Sequence, residues 1–480
     1  MEIDNGSTEE FSMQHFTMKK NGFIRYSSLA MLWVSISMSS SVLADCIEFS
    51  ETVFGECIEY SQYDEEDGFV NAEFMPTIYS GAAITMGAES TVFGDIQSVA
   101  AVTLGDSAEV SGSVLAGAAV TIERAGIVSS DVTAGEAVTL GASAQVRGDL
   151  AAKGMVFIGA ESEISGNLTS GDKAKLGAGA KVGGNVNAVN SVTLGADTKV
   201  GNNGSRGSVR AVNGPIVLGR YAFVEGDASA GSIISFGHNA KVEGSEMPNA
   251  YPEGITNEAN KPVATNKDEL TQKQKELTDI LLLVPSYIQL ITTIDTSTEF
   301  YPGVYNASAL TTTAGITLKF VGSGFGEPDE WLINVDTYIS FGANLTIDLV
   351  DVAQGSTIIF NAGTYTTIGA NSNVRGTFFA GTYITTGENT TISGIGSDCG
   401  GMFATNGAIT LGAQSTVGSL NCWQEGQRSE EYFEDDEDYY EDDEDYYEDD
   451  EEEDDQDYYE DYYEDYEDDE DNENYEGEGV

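Results

Sequence analysis

Large aliphatic residues return to fixed places every 18 residues through much of the first half of the chain. The stretch 137–151, AVTLGASAQVRGDLA, supplies the frame. The glycine of its V-T-L-G recurs at Gly87, Gly105, Gly141, Gly159, Gly177, Gly195, Gly219 and Gly237, with Glu123 in the slot that lacks one. All intervals are 18 residues except Gly195 to Gly219, which is 24; the six extra residues fall in the polar run 202–207. Three positions before the frame stand Ile84, Val102, Val120 and Val138; one before it stand Met86, Leu104, Ile122 and Leu140; five after it stand Val92, Val110, Val128 and Val146.

Apolar residues alternating by two specify strand. Apolar slots about six apart divide each 18-residue unit into three short strands, so one unit is one coil of a three-sided β-solenoid. The fold class read here is therefore all-β, a solenoid with 18-residue coils. One coil cannot bury its apolar face alone, so coils stack and share a core. The frame glycines mark corners, where positive φ or close backbone packing is required. Nine coils at about 4.8 Å make a rod of roughly 40 Å.

Fixing the inward slots also fixes the outward ones. The slot between the inward Val and Leu reads Thr85, Thr103, Thr121 and Thr139, and later Ser340, Thr367, Thr385 and Thr410. Phe157, Lys175 and Val217 interrupt it in the middle coils. Two residues earlier stand Ala83, Ala101, Ala119 and Ala137, and later Tyr338, Tyr365, Tyr383 and Ala408. A second candidate face carries Asn344, Asn371, Asn389, Thr391 and Thr416. Thr is a favoured outward residue in strands without any ligand, so the ladder by itself fits a plain structural role as well as a binding surface.

Around the repeats the pattern changes. Residues 1–44 read as an upstream extension and a secretory signal peptide, with Lys19, Lys20 and Arg25 before an apolar core and Val42-Leu43-Ala44 at the cleavage site. Residues 45–76 read as a cap that contains Cys46 and Cys57, followed by regular repeats over 77–246. Residues 247–300 form a linker and one helix. Asn266 and Glu269 make a capping box there, Leu270, Leu277, Ile280, Leu281 and Val284 form an apolar stripe, and Pro285 ends it. That stripe predicts a helix lying along the solenoid. From 301 to 422 the β pattern resumes with coils of unequal length, framed by Gly342, Gly369, Gly387 and Gly412. Cys399 and Cys422 lie in this block; proximity pairs the cysteines as Cys46–Cys57 and Cys399–Cys422, although spacing leaves the connectivity open. Residues 423–480 are acidic, Tyr-rich and repetitive, a composition too charged to order.

Charge and chemistry narrow the function. The formal net charge is −59, which argues against nucleic acid. About 40% of the acids lie in the final 50 or so residues, a diffuse arrangement that specifies at most weak Ca²⁺ binding. Only His15 and His238 are present, which opposes a catalytic triad or a His-rich zinc site. No catalytic residues, metal site or cofactor are indicated. The chain reads as a non-enzymatic, extracellular protein.

Two resemblances follow from specific phrases. The segment from about Gly231 to Val417 resembles the secreted microbial ice-binding β-solenoid family. It does so through the helix region 266–284, PGVY at 302–305, GEPDEWLINV at 326–335, RGTFFAGTYITTG at 375–387 and ATNGAITLG at 404–412. This resemblance implies adsorption to an ice crystal through one flat face without cofactor, with Thr85, Thr103, Thr121, Thr139, Thr367, Thr385 and Thr410 as the expected contact residues. Residues 81–244 are similar to bactofilin-type polymer-forming β-helices through V-T-L-G and V-x-G-D-L-x-A. That similarity implies the alternative, a self-assembling or adhesive cell-surface scaffold without ice activity.

Overall fold

The computed structural model describes residues 77–202, 206–250, 267–283, 287–395 and 400–419. The segments expected to be signal peptide, disulfide-containing cap and acidic tail, and all four cysteines, lie outside the described residues. So do Asn266, the Glu269 side chain, Val284 and Pro285.

Three parallel sheets of 16, 15 and 15 strands form a three-sided solenoid. Each regular coil contributes one short strand to each sheet, for example Ile96–Ser98 to sheet A, Val102–Leu104 to sheet B and Glu109–Val110 to sheet C. The inward residues follow the predicted slots: Val102, Leu104, Val110 and Val114 are all essentially inaccessible. Each such side chain contributes about 1.5–3 kcal/mol by leaving water. The first block is filled by aliphatics, and the second adds aromatics to them. Phe300 stacks on Phe320 at 5.0 Å, and Phe360 on Phe378 at 4.8 Å.

The order of coils along the axis differs from their order in sequence. The chain enters at strand Ile78–Ser80 and climbs coil by coil to Glu246–Pro248 at one end. It then crosses back and resumes at the opposite end with Ile288–Gln289. From there it climbs again until the last coil pairs with the first. Strands Gly401–Ala404, Ile409–Leu411 and Thr416–Val417 lie in parallel register on Ile78–Ser80, Ile84–Met86 and Thr91–Val92. One apolar cluster runs through both blocks, so they share a core. The coil that residues 45–76 lead into is thus the seventh of fifteen, inside the stack. The second block also begins one coil before residue 301, with strands Ile288–Gln289, Thr293–Ile294 and Thr298–Phe300.

Helix α1, Lys267–Leu283, lies along the outer side of sheet A from Tyr79 to Leu332. Its Leu270, Leu277 and Ile280 pack on Tyr79, Leu332, Ile359, Phe379 and Phe403 of the outer side of sheet A. Polar locks fix its register. Asn334 Nδ2 donates to the Leu277 carbonyl at 2.8 Å, Gln274 Nε2 to the Ala362 carbonyl at 2.9 Å, and Thr405 Oγ1 to Gln274 Oε1 at 2.9 Å. At about 1.5 Å per residue its 17 residues span roughly 25 Å, the height of about five coils. Burial, and behind it Asp268, holds the Tyr79 phenol above its ordinary pKa.

Two backbone devices shape the corners. A Cβ on Gly105 would lie 2.8 Å from the Ala88 nitrogen of the coil below, and one on Gly141 would lie 2.6 Å from the Glu123 carbonyl carbon. The frame glycines are therefore set by the approach of the neighbouring coil. Positive φ belongs instead to the residue two further on: Glu89, Ser107, Ala125, Ser143, Asn344, Asn371, Asn389 and Gln414 all have φ between 54° and 60°. The D of V-x-G-D-L-x-A has a structural role as well. Asp131 Oδ1 accepts the Asp149 N–H at 2.7 Å, and Asp149 Oδ1 accepts the Asn167 N–H at 2.6 Å, so each coil caps the next.

Candidate functional site

Helix α1 covers part of sheet A. Sheet B presents its outward slot along the whole stack, and this slot holds the Thr residues singled out above. Register pairs link them in one line. Thr293 lies beside Thr311, Thr311 beside Ser340, Ser340 beside Thr367 and Thr367 beside Thr385. Thr385 lies beside Thr410, Thr410 beside Thr85, Thr85 beside Thr103, Thr103 beside Thr121 and Thr121 beside Thr139. Ten successive coils thus carry a hydroxyl with no charge among them, and Phe157 and Lys175 follow. At about 4.8 Å per coil the line is roughly 43 Å long.

The fold brings the two expected Thr runs together end to end and adds Thr293 and Thr311. Those two escape a sequence reading because their coils lack the frame glycine; Asp295 and Thr313 occupy that slot. From Thr311 to Thr139 each ladder residue stands between buried neighbours, as in Ile84-Thr85-Met86 and Val138-Thr139-Leu140. Rotation of the strand by one residue would drive those apolar side chains into water, so the hydroxyls are held outward.

Beside the ladder runs a second row. Coil-to-coil hydrogen bonds place Tyr338, Tyr365, Tyr383, Ala408, Ala83, Ala101, Ala119 and Ala137 in line. The three phenol rings stack face to face, Tyr338 on Tyr365 at 5.0 Å and Tyr365 on Tyr383 at 4.9 Å. Desolvation by this packing, then the proximity of Tyr383 and Tyr338, raises the Tyr365 phenol pKa.

The residues of the second candidate face separate into two features. Asn344, Asn371 and Asn389 are left-handed corner residues between sheets B and C. Asn389 Nδ2 donates to Asn371 Oδ1 at 3.0 Å, so these amides serve one another. Thr391 and Thr416 stand on sheet C itself, in a line of Thr317, Thr346, Asn373, Thr391, Thr416 and Thr91 that gives way to Glu109. This ladder is shorter, and charged residues continue it at Glu163, Lys181 and Lys199.

Among the described residues no group of three His, Cys, Asp or Glu could hold a metal. His238 makes an edge contact with the Tyr221 ring at 6.0 Å.

Residues 256–417 match the model of the Ice-binding-like family. No curated protein matches the sequence. Among solved structures, the ice-binding protein of the Antarctic ascomycete Antarctomyces psychrotrophicus aligns at 16% identity over 48% of this chain and 93% of its own, with a TM-score of 0.27. An ice-binding protein from an Antarctic biological consortium aligns at 18% identity over 49% and 84%, also at 0.27. That of an Antarctic Flavobacteriaceae bacterium aligns at 12% identity over 71% and 96%, at 0.25. At such TM-scores these likenesses carry no functional weight. The matched segment supplies α1 and the second block, including the hydroxyls from Thr293 to Thr410.

Proposed function

We propose that this is an exported, non-enzymatic ice-binding protein that adsorbs to ice through the outer face of sheet B and so restrains crystal growth. The observation that carries the reading is the uncharged hydroxyl ladder from Thr293 to Thr139. The match of residues 256–417 to an ice-binding-like family supports it.

The chemistry is that of ordered water. Methyl groups of Thr and Ala restrict the first water layer at their surface, and the Thr hydroxyls anchor that layer by hydrogen bonds. A backbone already fixed in a stacked sheet loses little further freedom when it meets a crystal, so the association is preorganised. No covalent step, cofactor or metal takes part.

Thermal hysteresis and ice-recrystallisation assays on the full chain test the reading. A freezing point held below the melting point, with faceted crystals, is the expected result. Absence of both effects at micromolar protein, alongside filaments in the electron microscope, would instead support the scaffold. End-to-end growth meets an obstacle at one end of the stack. There Glu246 occupies the inward slot beyond Ala228, and Pro248 lacks a donor for a further strand. An inward charge and an edge proline are devices that blunt strand addition.

A further inference from the structure

The ten-coil ladder is continuous in its hydroxyls but not in what stands beside them. In the coils of Ser340, Thr367 and Thr385 the neighbouring row is the stacked Tyr338, Tyr365 and Tyr383, with ring planes within 5° of parallel. In the next five coils that row is Ala408, Ala83, Ala101, Ala119 and Ala137. Beyond them the surface rises again at Met155 and Phe157, which are 44% and 36% exposed, with Lys175 Nζ 5.5 Å from the Phe157 ring.

The hydroxyls also change along the ladder, one coil before the Tyr row ends. Thr311 Oγ1 donates to Thr293 Oγ1 at 3.0 Å, and Thr367 Oγ1 to Ser340 Oγ at 3.1 Å. Those of Thr385, Thr410, Thr85, Thr103, Thr121 and Thr139 make no hydrogen bond among the described residues. Their donors and acceptors are left for water.

A phenol ring stands several ångströms above a methyl group, and a crystal plane cannot rest on both levels. Because each ring is held against its neighbour, the Tyr row does not fold flat. We infer that ice contact is confined to the five-coil plane from Ala408 and Thr410 to Ala137 and Thr139. The Tyr338–Tyr365–Tyr383 stack closes one end and Met155 with Phe157 closes the other. This rests on the ice-binding reading above and adds the residues that limit the site. The plane is roughly 19 Å long at about 4.8 Å per coil. It straddles the junction of the two blocks, and four of its five coils precede the segment 256–417 that matches the family.

Three variants of the full chain test the boundary, each compared with the parent for thermal hysteresis and checked for folding by circular dichroism. Thr103→Tyr places a ring in the middle of the plane, and most of the hysteresis is lost. Thr385→Tyr adds a ring beside Tyr383, outside the plane, and leaves hysteresis close to that of the parent. Replacing Tyr338, Tyr365 and Tyr383 together by Ala lengthens the plane and raises hysteresis. Equal losses from Thr103→Tyr and Thr385→Tyr, or a loss from the triple variant, would overturn the boundary while leaving ice binding intact. A parent without hysteresis would remove the ice-binding reading and the boundary with it.

Discussion

Thr85 and Thr410 are direct register partners on sheet B although 325 positions separate them in the chain. Every strand of the last coil repeats this relationship with the first. The junction depends on close backbone approach at Gly87, where a Cβ would lie 2.4 Å from the Ala413 nitrogen. Gly87→Val is expected to cost about 3 kcal/mol, on the scale of overpacking a tight site. The loss should be local. In hydrogen exchange, the Gly87 and Thr91 amides, bonded to Leu411 and Ser415 carbonyls, should lose protection before those of Gly159 and Glu163, bonded to Leu140 and Ala144. Uniform protection in the variant would mean that the junction is not a separate unit of stability.

The corner residues test what the asparagines are for. Ala125 sits at φ 55° and Asn371 at φ 58°. A left-handed backbone costs an L-residue about 1–2 kcal/mol, Asn less, and Gly essentially nothing beyond its entropy. Ala125→Gly should therefore raise stability, and Asn371→Ala lower it, each by about 0.5–1 kcal/mol in urea unfolding. Asn371→Gly should preserve thermal hysteresis. If it abolished hysteresis in a folded protein, the corner row would be part of the ice contact.

Alkaline pH should weaken the second block through Tyr305. Its hydroxyl donates to the Tyr301 carbonyl at 2.6 Å and accepts the Tyr301 N–H at 3.0 Å. Burial raises its pKa, opposed by the backbone hydrogen bond to Tyr301. A folded pKa above the unfolded value of 10.0 means that this stabilisation is complete below pH 10.0 and is lost as pH rises through the folded value. Tyr305→Phe should cost about 1 kcal/mol at neutral pH by removing the hydrogen bond. It should also lose less stability than the parent between about pH 8 and pH 11. Parallel pH profiles for the two proteins would show that Tyr305 does not titrate against folding.

Much of the coil was legible from residue order, because side-chain direction alternates by two and a buried slot must be apolar. Val102, Leu104 and Val110 follow that rule, and so does the outward placement of Thr103. The helix was legible from the apolar stripe of Leu270, Leu277 and Ile280, although sequence did not name its seat on Tyr79 and Phe403. Asn371 and Asn389 carry a second reading that residue order does not show. A ladder of identical amides looks like a surface for a ligand, but Asn is also the residue that best tolerates φ near 55°.

What the chain order determined by itself is the coil: its three strands, its inward and outward letters, and the helix that must find an apolar face. Only the tertiary structure decided which coil lies next to which. A parallel strand edge offers the same row of N–H and C=O groups to any coil of matching shape, so periodicity cannot say whether Thr139 or Thr410 ends a ladder or continues one. The return of the chain to the opposite end of the stack placed the second block under the first. That placement joined Thr410 to Thr85 and made two short Thr runs into one surface.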